Sequence, residues 1–182
     1  MSMLGVTSLG NFFYWSHLPI LQVLATRLGA SASQAGLLVS ASGWGGLVAS
    51  LLVTFYNPQR TGYLYTGGIL AATVLLAGAT IPSFWLAFAA LAASGFGAGL
   101  FGSVQASLVM NMVPDELRGR ALGILTLAIG AAPFGCAALG ELAEAQGAYF
   151  AVRLFTAVGT VAQVLWLSPC AWPGAMRIRM SM

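Results

Sequence analysis

The sequence contains no lysine, a single histidine, two cysteines and only four acidic residues in 182 positions. Each scarcity excludes a class of protein. Charged residues make up 6% of the chain, against about 25% in soluble globular domains, so the surface of a soluble domain cannot be built from it. The net charge of +3 comes from arginines scattered among short loops. That distribution points to membrane topology and away from a polyanion partner such as nucleic acid. Cys136 and Cys170 are far apart and fall in or at the end of apolar runs. This is neither a disulfide framework nor metal-ligand spacing, and both read as packing residues. The chain has no metal-ligand cluster, phosphate loop or catalytic constellation. No metal, cofactor or enzymatic activity is therefore expected.

What remains is hydrocarbon, with 59% of the residues hydrophobic. A span needs about 20 mainly apolar residues to cross a hydrocarbon core of about 30 Å, which leaves room for about six or seven spans and little else. The expected fold is an all-α membrane protein of six transmembrane helices within residues 1–168, followed by a tail over 169–182. The apolar runs place the spans at about 4–26, 34–56, 63–80, 84–112, 121–139 and 148–167. Six spans put both termini on one side with Arg60, Arg118, Arg120, Arg177 and Arg179, opposite Arg27 and Arg153. Both termini are therefore expected in the cytoplasm, in a multi-pass protein of the cell (inner) membrane.

The polar residues inside the spans have a phase. At about 100° per residue, Ser8, Asn11, Trp15 and Gln22 fall within about 60° of one another, while His17 lies off that stripe and Pro19 kinks the helix. Such a stripe faces protein or water, not lipid. Gln105 shares a face with Ser94 and Phe101. Small residues mark close packing: Gly36, Ser40, Gly43 and Ser50 form a stripe in the second span, and Gly95, Gly97, Gly99 and Gly102 sit in the fourth. Gly130, Pro133 and Gly135 predict a bend in the fifth span. The stretch from Gly140 to Gly147, with Glu141 and Glu144, reads as a loop, and Arg153 as a side chain snorkelling to the headgroups.

The densest concentration of charge is Val113 to Gly123, where Asp115, Glu116, Arg118 and Arg120 stand between two long apolar runs. Pro114 suits a first helical turn, the acids complement a positive helix start, and the arginines supply fixed cations at a membrane surface. Gly119 and Gly123, four apart, share one helix face and let a neighbouring backbone approach.

This turn resembles the loop between the tenth and eleventh helices of the major facilitator superfamily, especially its small-molecule exporters. Gly130, Pro133 and Gly135, followed by Gly140, Glu144 and Gly147, resemble the next helix and its outer loop. An echo of the family's signature loop is degenerate here: only Arg60 and Gly62 match, with Gln59, Tyr63 and Leu64 departing from it. The resemblance implies a carboxy-terminal six-helix half of a twelve-span transporter, moving a small organic solute by alternating access. It also implies a second six-helix half, from the same or a separate chain, because the solute site of such transporters lies between two halves. Asn11, Trp15, Gln22 and Gln105 become candidates for solute contact. Asp115, Glu116, Arg118, Gly119, Arg120 and Gly123 become a cytoplasmic gating loop, and His17 a candidate proton relay.

Three other readings compete. A lone half can serve as a non-transporting scaffold or be an inactive truncated product. Gly29-Ala30-Ser31 with His17 has the form of an intramembrane hydrolase motif, but His17 sits on the adjoining helix, with no second helix to deliver a base. Asn57-Pro58-Gln59 slightly resembles a channel motif, yet occurs once.

Overall fold

The computed structural model describes residues 2–59 and 61–168. Arg60 and the tail expected over 169–182, with Cys170, Arg177 and Arg179, lie outside the described residues. Within them the chain is helical: α1 (Ser2–Phe13), α2 (Ile20–Arg27), α3 (Ala32–Tyr56), α4 (Thr61–Leu76), α5 (Phe84–Asn111), α6 (Arg118–Ile129), α7 (Ala132–Gln146) and α8 (Ala148–Leu167). Five stretches are long and apolar enough to cross a membrane: α3, α4 with a short 3-10 extension, α5, the run from Asp115 to Gln146, and α8.

The first expected span, 4–26, is not one helix. It is α1 and α2 with a 3-10 turn, Trp15–His17, between them. Pro19 lacks an N–H and its ring clashes with the carbonyl four residues back, so the α-helical ladder cannot run through Trp15. The Tyr14 carbonyl instead accepts the His17 backbone N–H at 3.2 Å, and the same oxygen is met by the His17 ring nitrogen Nδ1. Proline breaks the fifth span in the same way. It runs as α6 and α7, not as one helix over 121–139, with Pro133 in the first turn of α7 and the break at Gly130 and Ala131.

Helix α7 then continues to Gln146, so Glu141 and Glu144 stand on its exposed last turns and not in a loop. Their neighbours, Ala143 and Ala145 among them, are good helix formers, and the chain turns only at Gly147, whose φ of 89° suits glycine. The start and end of α3 are fixed by its own caps. Ser31 and Gln34 form a capping box, and Asn57 closes the helix in the left-handed region at φ 39°. These two motifs, read as nucleophile-like and channel-like in the sequence, terminate a helix.

Helix α5 is clamped between α3 and α4. Gly95 and Gly99, four apart, face Ser42 and Gly46 of α3, while Gly97, on the opposite face, meets Gly68 and Ala72 of α4. A Cβ at Gly45 or Gly95 would run into the backbone of the facing helix. This corrects the stripe expected on the second span. Gly36, Ser40, Gly43 and Ser50 are exposed, and the buried face of α3 is Leu38, Ala41, Gly45 and Ala49. Ser50 still reaches α5 at its edge, where Ser103 donates to its hydroxyl at 3.0 Å. The Ser94 hydroxyl donates to the Ala72 carbonyl at 2.8 Å and ties α5 to α4.

Helix α1 lies antiparallel to α8, with Gly5 against Trp166 and Phe13 against Gly159, and Gly135 of α7 comes up against the Phe12 backbone. The rings of Phe12, Phe13 and Phe155 pack within 5.6 Å of one another. Arg153 is exposed but does not only snorkel. Its Nε donates to Thr80 Oγ1 at 2.8 Å and pins α8 to the turn before α5.

Candidate functional site

The break after α1 opens space. The turn from Tyr14 to Pro19, the α6–α7 break and the middle of α5 surround a cavity of about 780 Å³, within the range of about 300–1,000 Å³ typical of small-molecule sites. Its wall is Asn11, Trp15, Leu18, Pro19, Phe101, Gly102, Gln105, Ile129, Ala132, Pro133 and Cys136. Both proline-disrupted stretches contribute to it. None of these wall residues is charged.

Three of the four side chains expected to contact solute, Asn11, Trp15 and Gln105, are therefore brought to one cavity. The fourth is not: Gln22 is exposed on α2, away from the wall. A 3-10 turn advances about 120° per residue instead of about 100°. Three residues of it rotate α2 by about 60° relative to an unbroken helix. His17 is also absent from the wall. It is 1% exposed, held at Nδ1 by the Tyr14 carbonyl, and its Nε2 is buried without a hydrogen-bond partner among the described residues. Cys136, expected to be a packing residue, is half-buried in the cavity wall.

Behind the wall lies a connected set of hydrogen bonds. Asn11 Nδ2 donates to the Thr7 carbonyl at 2.9 Å, one turn back on α1. Gln105 Nε2 reaches Thr7 Oγ1 at 3.1 Å from α5. The Thr7 hydroxyl is paired with the Tyr65 hydroxyl of α4, which donates to the Met3 carbonyl at 2.9 Å. The Tyr65 ring stacks on Phe101 at 4.7 Å. Thr7 and Tyr65 are buried and neither was a sequence candidate. Thr7 was findable, four residues before Asn11 and so on the same face. Tyr65 was not, because nothing in the pattern of α4 says which buried polar group it meets.

The charged turn stands apart from the cavity. Asp115–Leu117 is a 3-10 turn, and α6 begins at Arg118, so Arg118, Gly119 and Arg120 form the first helical turn. Cations at a helix start are disfavoured by its dipole, and Arg118 is offset by Asp115 at 2.9 Å. Its Nε also donates to the Met110 carbonyl at 3.4 Å, near the end of α5. Glu116 and Arg120 are exposed. Gly119 and Gly123 are exposed, and a Cβ added at either would meet no neighbouring element within 4 Å among the described residues.

A broken first helix, a glycine-clamped α5 and a largely apolar cavity carrying two amide side chains are thus brought together in one chain of apolar helices. No curated protein matches the chain. The Major Facilitator Superfamily profile matches residues 3–174, nearly the whole sequence, and the chain belongs to that superfamily.

Proposed function

We propose that this protein exports a small organic solute by alternating access, as one six-helix half completed by a second half from another copy or a separately encoded chain. The superfamily consists of membrane transporters and not enzymes, so transport is the general activity. The observation that carries the finer reading is the cavity holding Asn11, Trp15 and Gln105. It is wide, largely apolar and furnished with two uncharged amides, which suits reversible binding of an amphipathic solute.

In this reading α1 and α2 together make the sixth crossing and both termini are cytoplasmic. The exposed small-residue faces of α3 (Gly36, Ser40, Gly43) and α6 (Gly119, Gly123) receive the second half, since small side chains let helices approach in lipid. Asp115, Glu116, Arg118 and Arg120 hold helix ends together at the cytoplasmic face and exchange partners as the halves rock. His17 has a structural role at the α1–α2 break, its ring bonded to the Tyr14 carbonyl, and the coupling group is supplied by the second half.

Cys136 provides the test, because replacing Cys170 with serine leaves it as the sole thiol on the cavity wall. Vesicles of both orientations are treated with a membrane-impermeant maleimide. Alternating access predicts labelling from either side, with the two rates changing in opposite directions when one state is trapped. Labelling from one side only identifies a fixed scaffold and refutes transport.

A further inference from the structure

The hydrogen bonds behind the cavity wall have a direction, set at their inner end by the Met3 carbonyl. The Met3 carbonyl can only accept, so the Tyr65 proton is committed to it. Thr7 must then give its own proton to the Tyr65 oxygen. With that proton spent, Thr7 Oγ1 can only accept from Gln105, which forces the Gln105 amide nitrogen inward and its carbonyl oxygen toward the cavity. The same logic orients Asn11: the Thr7 carbonyl accepts from Nδ2, so Oδ1 is the free end. Neither oxygen has a hydrogen-bond partner among the described residues, and neither belongs to the sealed, unpartnered polar atoms, which are His17 Nε2 and Gln163 Oε1. Two carbonyl acceptors thus border an apolar cavity.

We infer that this cavity selects neutral amphipathic solutes that present N–H or O–H donors, and discriminates against anions and against donor-free isosteres. The inference rests on the cavity being the solute site, as proposed above. An anion would set its charge against two carbonyl oxygens with no cation on the wall. A full cation would be desolvated without a carboxylate to pair with. A neutral donor satisfies both oxygens while its apolar body lies against Trp15, Phe101 and Ile129.

Three dansyl compounds of nearly equal size test this: dansylamide, which offers a sulfonamide N–H; its N,N-dimethyl derivative, which offers none; and the dansyl sulfonate anion. Protection of Cys136 from maleimide is titrated with each, in nanodiscs, on the Cys170→Ser protein. Dansylamide is expected to reach half-protection at a concentration about three- to tenfold lower than its dimethyl derivative, the range of one net hydrogen bond, with the sulfonate weakest. Tyr65→Phe separates hydrogen bonding from size. Tyr65 is not part of the cavity wall, and phenylalanine keeps the stack on Phe101. Losing the hydroxyl frees the Thr7 proton, lets the Gln105 amide turn either end outward, and collapses the preference for dansylamide toward unity. Equal protection by all three compounds, or a preference that survives Tyr65→Phe, overturns the donor rule while leaving the cavity a solute site. Protection by none of them overturns the solute-site reading itself.

Discussion

Replacing Gly97 with alanine tests the clamp on α5 with a magnitude worked from distances. An added Cβ would lie 2.6 Å from the Gly68 carbonyl oxygen, 2.9 Å from the Ala72 nitrogen and 3.3 Å from the Ala72 Cα. These are backbone atoms of α4, so no rotamer relieves them. Ordinary contact begins at about 3.5 Å, and α4 and α5 must part by roughly 0.5–1 Å. Overpacking of this kind costs about 1–3 kcal/mol, against about 0.5–1 kcal/mol gained by replacing glycine inside a helix. The Ser94 hydroxyl bond to Ala72, one turn away, lengthens with the separation. Gly102 is the control, on the same helix with nothing within 4 Å of its added Cβ. Gly102→Ala should show only the gain. The two variants are therefore expected to differ by about 2 kcal/mol, or about 4–8 °C in Tm for a chain of this size. Thermal unfolding in one detergent, followed by far-ultraviolet circular dichroism and by loss of the monodisperse peak, measures it. Equal stability of the two alanine variants would refute the reasoning, because it would mean that helix propensity and not backbone contact governs α5.

Ser31→Ala removes the capping box of α3 and should cost about 1 kcal/mol, with faster amide exchange confined to the first turn of α3. Thr80→Val deletes the hydroxyl that accepts from Arg153, and about 1 kcal/mol should be lost together with exchange protection of the 77–83 turn. The double variant Arg118→Ala, Arg120→Ala breaks an exposed pair worth about 0–1 kcal/mol, so insertion and Tm should barely change. Its effect is expected instead on gating, as a shift in the ratio of Cys136 labelling from the two sides of the membrane, and an unaltered ratio would count against a gating role.

The sequence disclosed most where composition and periodicity act locally. Hydropathy marks apolar spans regardless of how they pack, and the helical phase of α1 selected Asn11, inside α1, and Trp15, the first residue of the 3-10 turn, where the change of phase has not yet accumulated. Gln22 was misplaced for the opposite reason: Pro19 announced a kink, but not that three residues would wind as 3-10 helix and rotate everything after them. The small-residue stripe of α3 shows a different limit, since it does not face α5. Gly36, Ser40 and Gly43 have the right spacing, yet Gly45 is the residue that faces α5, and a glycine-rich helix offers several stripes among which only the partner's surface decides. Tyr65 belongs to a third kind: its contact with Thr7, 58 positions away, is one that no local pattern encodes.

The cavity itself follows from the two failures of helical regularity. An unbroken helix over 4–26 would satisfy its own backbone and could pack flush against its neighbours. Pro19 and Pro133 each remove one ladder hydrogen bond, and the breaks they cause, at Tyr14–Pro19 and Gly130–Ala131, both border the same space opposite Gly102 of α5. Non-helical backbone at membrane depth persists only where protein or a water-filled cavity surrounds it. The Tyr14 carbonyl is satisfied inside the protein by His17, while Trp15, Leu18, Pro19, Ala132 and Pro133 line the opening. The flaws in the two helices thus shape the cavity, and α5, held on two faces by glycine contacts, presents Gln105 to it.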